Sequence, residues 1–142
     1  MPVVLAAPLA VLLAAVSSMV VGTVWFQPRV FGDRWQAITG KNPSRPRNPV
    51  GTYIGSFVSA AVTATVLWAA TAVVAAAMGD GDGTSPLLIA LVTATVLWAG
   101  FTAAPTAVHY LFEGRGVRLF AINSLHQLAT ALVMAVIVGL FS

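Results

Sequence analysis

The chain has no cysteine among its 142 residues. That excludes a disulfide framework and any thiolate metal site. Charge is also scarce. Asp, Glu, Lys and Arg together make up 8% of the residues, where a soluble domain carries roughly 25%. Hydrophobic residues make up 58%, and so few charges could not cover that much apolar surface in water. The basic residues are few and sit in short connecting segments, so they form no phosphate-tracking surface and nucleic acid is not an expected partner. Neither a nucleotide-binding loop nor a nucleophile–base–acid set is recognisable, so no enzymatic activity and no cofactor are expected.

What the chain does have is long apolar runs. A helix needs about 20 apolar residues to cross the hydrocarbon core. Four stretches qualify, at about 3–26, 52–78, 86–112 and 119–141, and none contains Asp, Glu, Lys or Arg. The first lacks a basic leading region and is too long for the apolar part of a signal peptide, so it reads as a retained span. The expected fold is an all-α, integral-membrane, four-helix antiparallel bundle forming a single domain.

The cations orient it. Arg29, Arg34, Lys41, Arg45 and Arg47 lie in the basic loop 27–51, and Arg115 and Arg118 lie between spans three and four. The loop between spans two and three holds Asp80 and Asp82 and no cation. All Lys and Arg thus fall on one side, which the positive-inside rule makes cytoplasmic. Both termini are expected outside, in a multi-pass protein of the inner (cytoplasmic) membrane. Asp80-Gly81-Asp82-Gly83 looks like the start of a calcium loop but lacks the later ligands, so no metal is expected there.

The basic loop divides in two. Phe31, Trp35 and Ile38 recur at helical spacing, which predicts a short interfacial helix after the first span, stopped by Gly40. Pro43, Pro46 and Pro49 then recur every third residue around Arg45 and Arg47, which predicts an extended basic strap lying on anionic lipid. Ser85-Pro86 reads as a helix cap followed by proline in the first turn.

Each span carries small residues four apart: Ala6, Ala10, Ala14, Ser18 and Gly22; Gly51, Gly55, Ser59 and Thr63; Thr95, Ala99, Ala103 and Ala107; Ala131, Ala135 and Gly139. Such stripes let helix backbones approach closely in lipid, and they suggest a homo-oligomer. The octapeptide Val62–Ala69 recurs identically as Val92–Ala99. It places Trp68 and Trp98 near the bilayer midplane, as packing residues or as a pore constriction. Their indole N–H groups need acceptors, for which Thr63, Thr65, Thr93 and Thr95 are candidates.

Polar residues gather toward the basic side: Gln27, Thr106, His109, Asn123, His126 and Gln127. Asn123, His126, Gln127 and Thr130 share one helix face. Three readings follow. The polar side chains bond helix to helix; they line a vestibule for a small solute; or His109 and His126 hold a haem or a metal between them, which nothing else supports. No span contains a carboxylate, which counts against an ion-coupled carrier.

Two sets of residues carry a family likeness. One is Gly22-Thr23-Val24-Trp25-Phe26 with Phe31-Gly32-Asp33-Arg34-Trp35. The other is His109-Tyr110-Leu111-Phe112-Glu113-Gly114-Arg115 with Leu119-Phe120-Ala121-Ile122-Asn123. In order and spacing they resemble the bacterial membrane-protein family catalogued as domain of unknown function 1761. Phe26 stands where that family often has Tyr, and Gly116 where it often has Pro. The resemblance implies four spans and no established activity.

Its motifs fall on the cytoplasmic rim, at Phe31, Gly32, Trp35, Glu113, Arg115 and Arg118. Glu113 is expected to pair with Arg115, Arg118, Arg29 or Arg34 and so to pin the two cytoplasmic loops together. As function, the residues suggest an oligomeric membrane protein that binds or moves a small solute. The alternative is a non-catalytic accessory or assembly subunit of a membrane complex.

Overall fold

The computed structural model describes the backbone of residues 3–79 and 83–142, with side chains from Ala6 onward. Asp80 and Asp82, the acidic residues of the loop between spans two and three, lie outside the described residues. The described chain forms six α-helices: α1 (Val3–Trp25), α2 (Asp33–Thr39), α3 (Pro49–Met78), α4 (Pro86–Leu97), α5 (Ala104–Glu113) and α6 (Val117–Phe141). Helices α4 and α5 are joined through a π-helical turn, Trp98–Ala103, into one continuous rod, Pro86–Glu113.

Four rods are therefore long and apolar enough to cross a membrane: Ala6–Trp25, Pro49–Met78, Pro86–Glu113 and Val117–Phe141. They pack as an antiparallel bundle in which neighbours in sequence are neighbours in space. α1 lies against α3 and α6, and α4 lies against α3 and α6. Successive rods alternate in direction. The start of α1 and the end of α6 therefore lie at one end, here termed the terminal end. The basic loop and the Glu113–Arg115 corner lie at the other, the basic end.

Local chemistry sets the helix ends. Ser85 caps α4 by accepting from the Leu88 N–H at 3.3 Å, with Pro86 filling a first-turn position where no donor is needed. Asn48 caps α3 in the same way, from Gly51 N–H at 3.1 Å, ahead of Pro49. The extended strap expected over Pro43–Pro49 is thus not what forms. Asn42 accepts from Ser44 N–H at 2.9 Å through its side chain and from Arg45 N–H at 3.2 Å through its carbonyl. An Asn-nucleated turn wins over polyproline geometry, and the third proline opens the helix, which starts three residues before the expected Thr52. Gly40 ends α2 in the left-handed conformation, φ 68°.

The corner before α6 is turned by two glycines, Gly114 at φ 64° and Gly116 at φ 82°. Proline is locked near φ −65°, so a proline in place of Gly116 could not adopt this conformation.

The π-helical turn has a local cause. Pro105 has no N–H, and its ring would press on the carbonyl four residues back. Widening the turn relieves this, and Ala104 N–H bonds instead to Ala99 C=O, five residues back. Turns of this kind often mark functional positions.

The core occupies the terminal half of the bundle. Ala14, Ala64, Ala90, Ala135, Met134 and Val138 are essentially inaccessible there. Gly139 lets α6 and α4 come close: a Cβ on it would lie 2.7 Å from the Leu87 Cα. Large apolar side chains face outward instead, such as Val96 at 64% and Val73 at 69% exposure. A surface of this kind fits lipid rather than water.

Candidate functional site

Toward the basic end α3 separates from the third rod, and a cavity of about 630 Å³ opens between them. Its back wall is α6, through His126, Gln127, Thr130 and Met134. α3 contributes Ser56, Ser59 and Thr63, and the third rod contributes Trp98, Phe101 and Thr102 from its π-helical turn. Ser18 of α1 reaches the cavity as well. The wider turn thus delivers an aromatic ring and a hydroxyl to the cavity wall.

Two buried polar atoms in this wall have no hydrogen-bond partner within the protein: His126 Nε2 and Thr130 Oγ1. Leaving such a group unpaired costs about 1–3 kcal/mol, and neither atom finds its partner within the protein. Thr130 is 6% exposed. The imidazole of His126 is held between Phe26, centroids 5.0 Å apart, and Trp25 at 5.9 Å. Gly22, the last member of the α1 stripe, faces it: a Cβ there would come within 3.6 Å of Nε2.

A second cluster closes the basic end beside the cavity. The chain leaves α1 through a π-helical turn, Pro28–Gly32, in which Gln27 C=O accepts from Gly32 N–H at 2.9 Å. Gly32 is required there, because a Cβ would lie 2.2 Å from the Phe26 carbonyl oxygen. The turn lays Phe31 on Trp25, centroids 4.5 Å apart, and sets Trp35 edge-on to Phe26 at 5.7 Å. Trp35 Nε1–H then donates to Asn123 Oδ1 at 3.1 Å, and Asn123 Nδ2–H donates to the Tyr110 hydroxyl at 2.6 Å. Asn123 is therefore a clasp that ties the basic loop and the third rod to α6.

The six polar residues singled out from sequence do not form one vestibule. His126 and Gln127 line the cavity, and Asn123 is spent on the clasp. Gln27 is exposed and contributes its backbone carbonyl to the turn. Thr106 and His109 lie on α5, outside the cavity lining, and His109 is exposed. The two histidines thus share no site, which removes the geometry a bis-histidine haem needs.

The tryptophans also part company. Trp98 borders the cavity and donates to the Ser124 carbonyl at 2.9 Å. Trp68 borders a separate groove between α1 and α3. Their threonine neighbours are not acceptors for them: Thr63, Thr65 and Thr95 donate to carbonyls one turn back on their own helices.

Glu113 pairs with Arg115, two residues away, at 2.5 Å, with both side chains about half exposed. The ion pair stays within its own corner and does not join the two loops, a task that falls to Asn123. Tyr110 and the cavity hydroxyls of Ser56, Ser59, Thr63 and Thr102 were not read as site residues from sequence, whereas Thr130 was placed on the polar face of α6. The α3 stripe carried a signal for the hydroxyls, since Ser59 and Thr63 interrupt its small apolar positions.

These features define a class, a multi-pass helical membrane protein with a side cavity in one half of its bundle. A family model described as "Protein of unknown function (DUF1761)" matches residues 9–139, nearly the whole chain, and the chain belongs to that family. No curated protein and no solved structure matches it.

Proposed function

We propose that this protein binds a small, mostly apolar molecule that carries a hydrogen-bonding group, and that it takes this molecule from the plane of the membrane. The supporting observation is the cavity between α3, the third rod and α6, with unpaired Thr130 Oγ1 and His126 Nε2 in its wall. Its volume falls within the roughly 300–1,000 Å³ of ligand pockets. Its mixture of Leu67, Leu97, Phe101 and Met134 with a few polar groups is the usual make-up of such sites. The reading is of a non-catalytic protein, and of binding rather than passage, since the close-packed terminal half stands across any route through the protomer. By the positive-inside rule the cavity lies in the cytoplasmic half of the bilayer.

The test is to purify wild type and Ser59→Phe in the same lipid and detergent, extract both with organic solvent, and compare the small molecules by mass spectrometry. Wild type should retain a species near one per protein that the cavity-filling variant lacks, with equal helicity and melting temperature. Identical extracts would remove this reading.

A second reading, self-association, rests on a different observation. The small positions of α1 and α6 are used inside the protomer. Gly55 of the α3 stripe faces open space, with nothing within 4 Å of a built Cβ. Cysteine crosslinking at Gly55 in native membranes should yield dimers if a second copy packs there, and its absence would leave the protomer alone.

A further inference from the structure

We propose that the basic end holds a specific site for the phosphodiester of an anionic phospholipid, between α2 and the start of α6. A groove of about 590 Å³ lies there, separate from the central cavity and lined by none of the proline-rich residues 43–49. Arg34 of α2 and Arg118 of α6 line it, together with Trp25, Phe31, Ile38 and Leu125. No carboxylate is in the lining. Among the described residues neither arginine makes an ion pair, the one such pair being Glu113–Arg115. Arg34 is oriented by its guanidinium lying 5.9 Å from the Phe31 ring centroid.

The layering of the groove matches a lipid rather than a free anion. Arg118 stands in the first turn of α6, and Leu125 lies seven residues further along the same helix, about 10 Å deeper at 1.5 Å per residue. Guanidinium groups therefore sit at headgroup level, with apolar side chains beneath them at the level of the first acyl carbons. Arginine's planar donor array suits two phosphate oxygens at once. Trp25 forms part of the same wall and adds an aromatic face beneath the arginines. The site does not depend on what occupies the central cavity.

Native mass spectrometry of the detergent-purified chain, titrated with phosphatidylglycerol, phosphatidylcholine or inorganic phosphate, tests this. Wild type should retain one phosphatidylglycerol with a preference on the order of tenfold over phosphatidylcholine. Arg34→Gln combined with Arg118→Gln should abolish the preference. Arg45→Gln combined with Arg47→Gln removes the same charge from the same end and should leave it intact. The idea is overturned if both double variants lose the preference equally, or if phosphatidylcholine binds as well. It is also overturned if inorganic phosphate displaces the lipid at equal concentration, which would mark a site for the free anion. All three proteins should share one melting temperature, because both arginines are exposed.

Discussion

The two halves of the bundle solve the same problem in different ways. In the terminal half, helices meet closely through Ala14, Ala64, Ala90, Ala135 and Gly139, and the opening there is the groove between α1 and α3 beside Trp68. In the basic half, α1 and α6 stay close, but α3 moves away from the third rod and leaves a cavity. There the parts are joined by rings and hydrogen bonds, through Trp25, Phe26, Phe31, Trp35, Asn123 and Tyr110. The difference teaches that in lipid, where burial of apolar surface gives no drive between helices, closeness has to come from small residues or from specific polar contacts. This protein uses one at each end.

The sharpest way to break the contrast is at glycine. Gly139→Leu forces a side chain onto the Leu87 backbone and should destabilise the protein by about 3 kcal/mol, the upper range for overpacking. It would be read as a lowered melting temperature in detergent. The same change at Gly55, which faces open space, should leave the purified monomer's melting temperature unchanged. Equal effects at the two sites would mean that the halves are not packed differently.

Gly32→Ala comes next, since its Cβ would strike the Phe26 carbonyl. About 2 kcal/mol of destabilisation is expected, with Trp35 fluorescence shifting to the red as α2 undocks. An unshifted spectrum would show that the turn tolerates a side chain.

Asn123→Leu removes two hydrogen bonds and should cost about 1 kcal/mol, at roughly 0.6 kcal/mol for each contact in a membrane protein. A double-mutant cycle with Trp35→Phe should find the two residues coupled, and additive effects would dissolve the clasp. The smallest effect is expected at Glu113→Gln. Its half-exposed pair with Arg115 is screened by solvent, and the melting temperature should move by less than the equivalent of about 0.5 kcal/mol. A large drop would restore Glu113 to a structural role.

Much of the fold was legible because its signals are local. Ser85 before Pro86 and Gly40 after Thr39 mark helix ends through the backbone of their own few residues. The spacing of Phe31 and Trp35 announced α2 for the same reason. The π-helical turn was not read, although Pro105 was its cue, because a proline can be met by a kink, a break or a widened turn. The site was less legible still. His109 and His126 looked paired by depth, but depth along two helices says nothing about which way each side chain points. Asn123 was recognised as polar and important, but its partners lie 88 residues upstream and 13 residues back along the chain.

Sequence alone determined that four apolar rods would form, within a few residues where they would end, and that every cation would gather at one end. Those properties follow from residue-by-residue transfer between water and lipid, which needs no knowledge of neighbours. Only the tertiary structure decided which of four similar stripes of small residues would close the bundle and which would be left open. It also decided that a cavity would form where α3 leaves the third rod. Rotation of one helix about its axis costs almost nothing in its own sequence pattern, so the choice is made by the contacts it meets on the others.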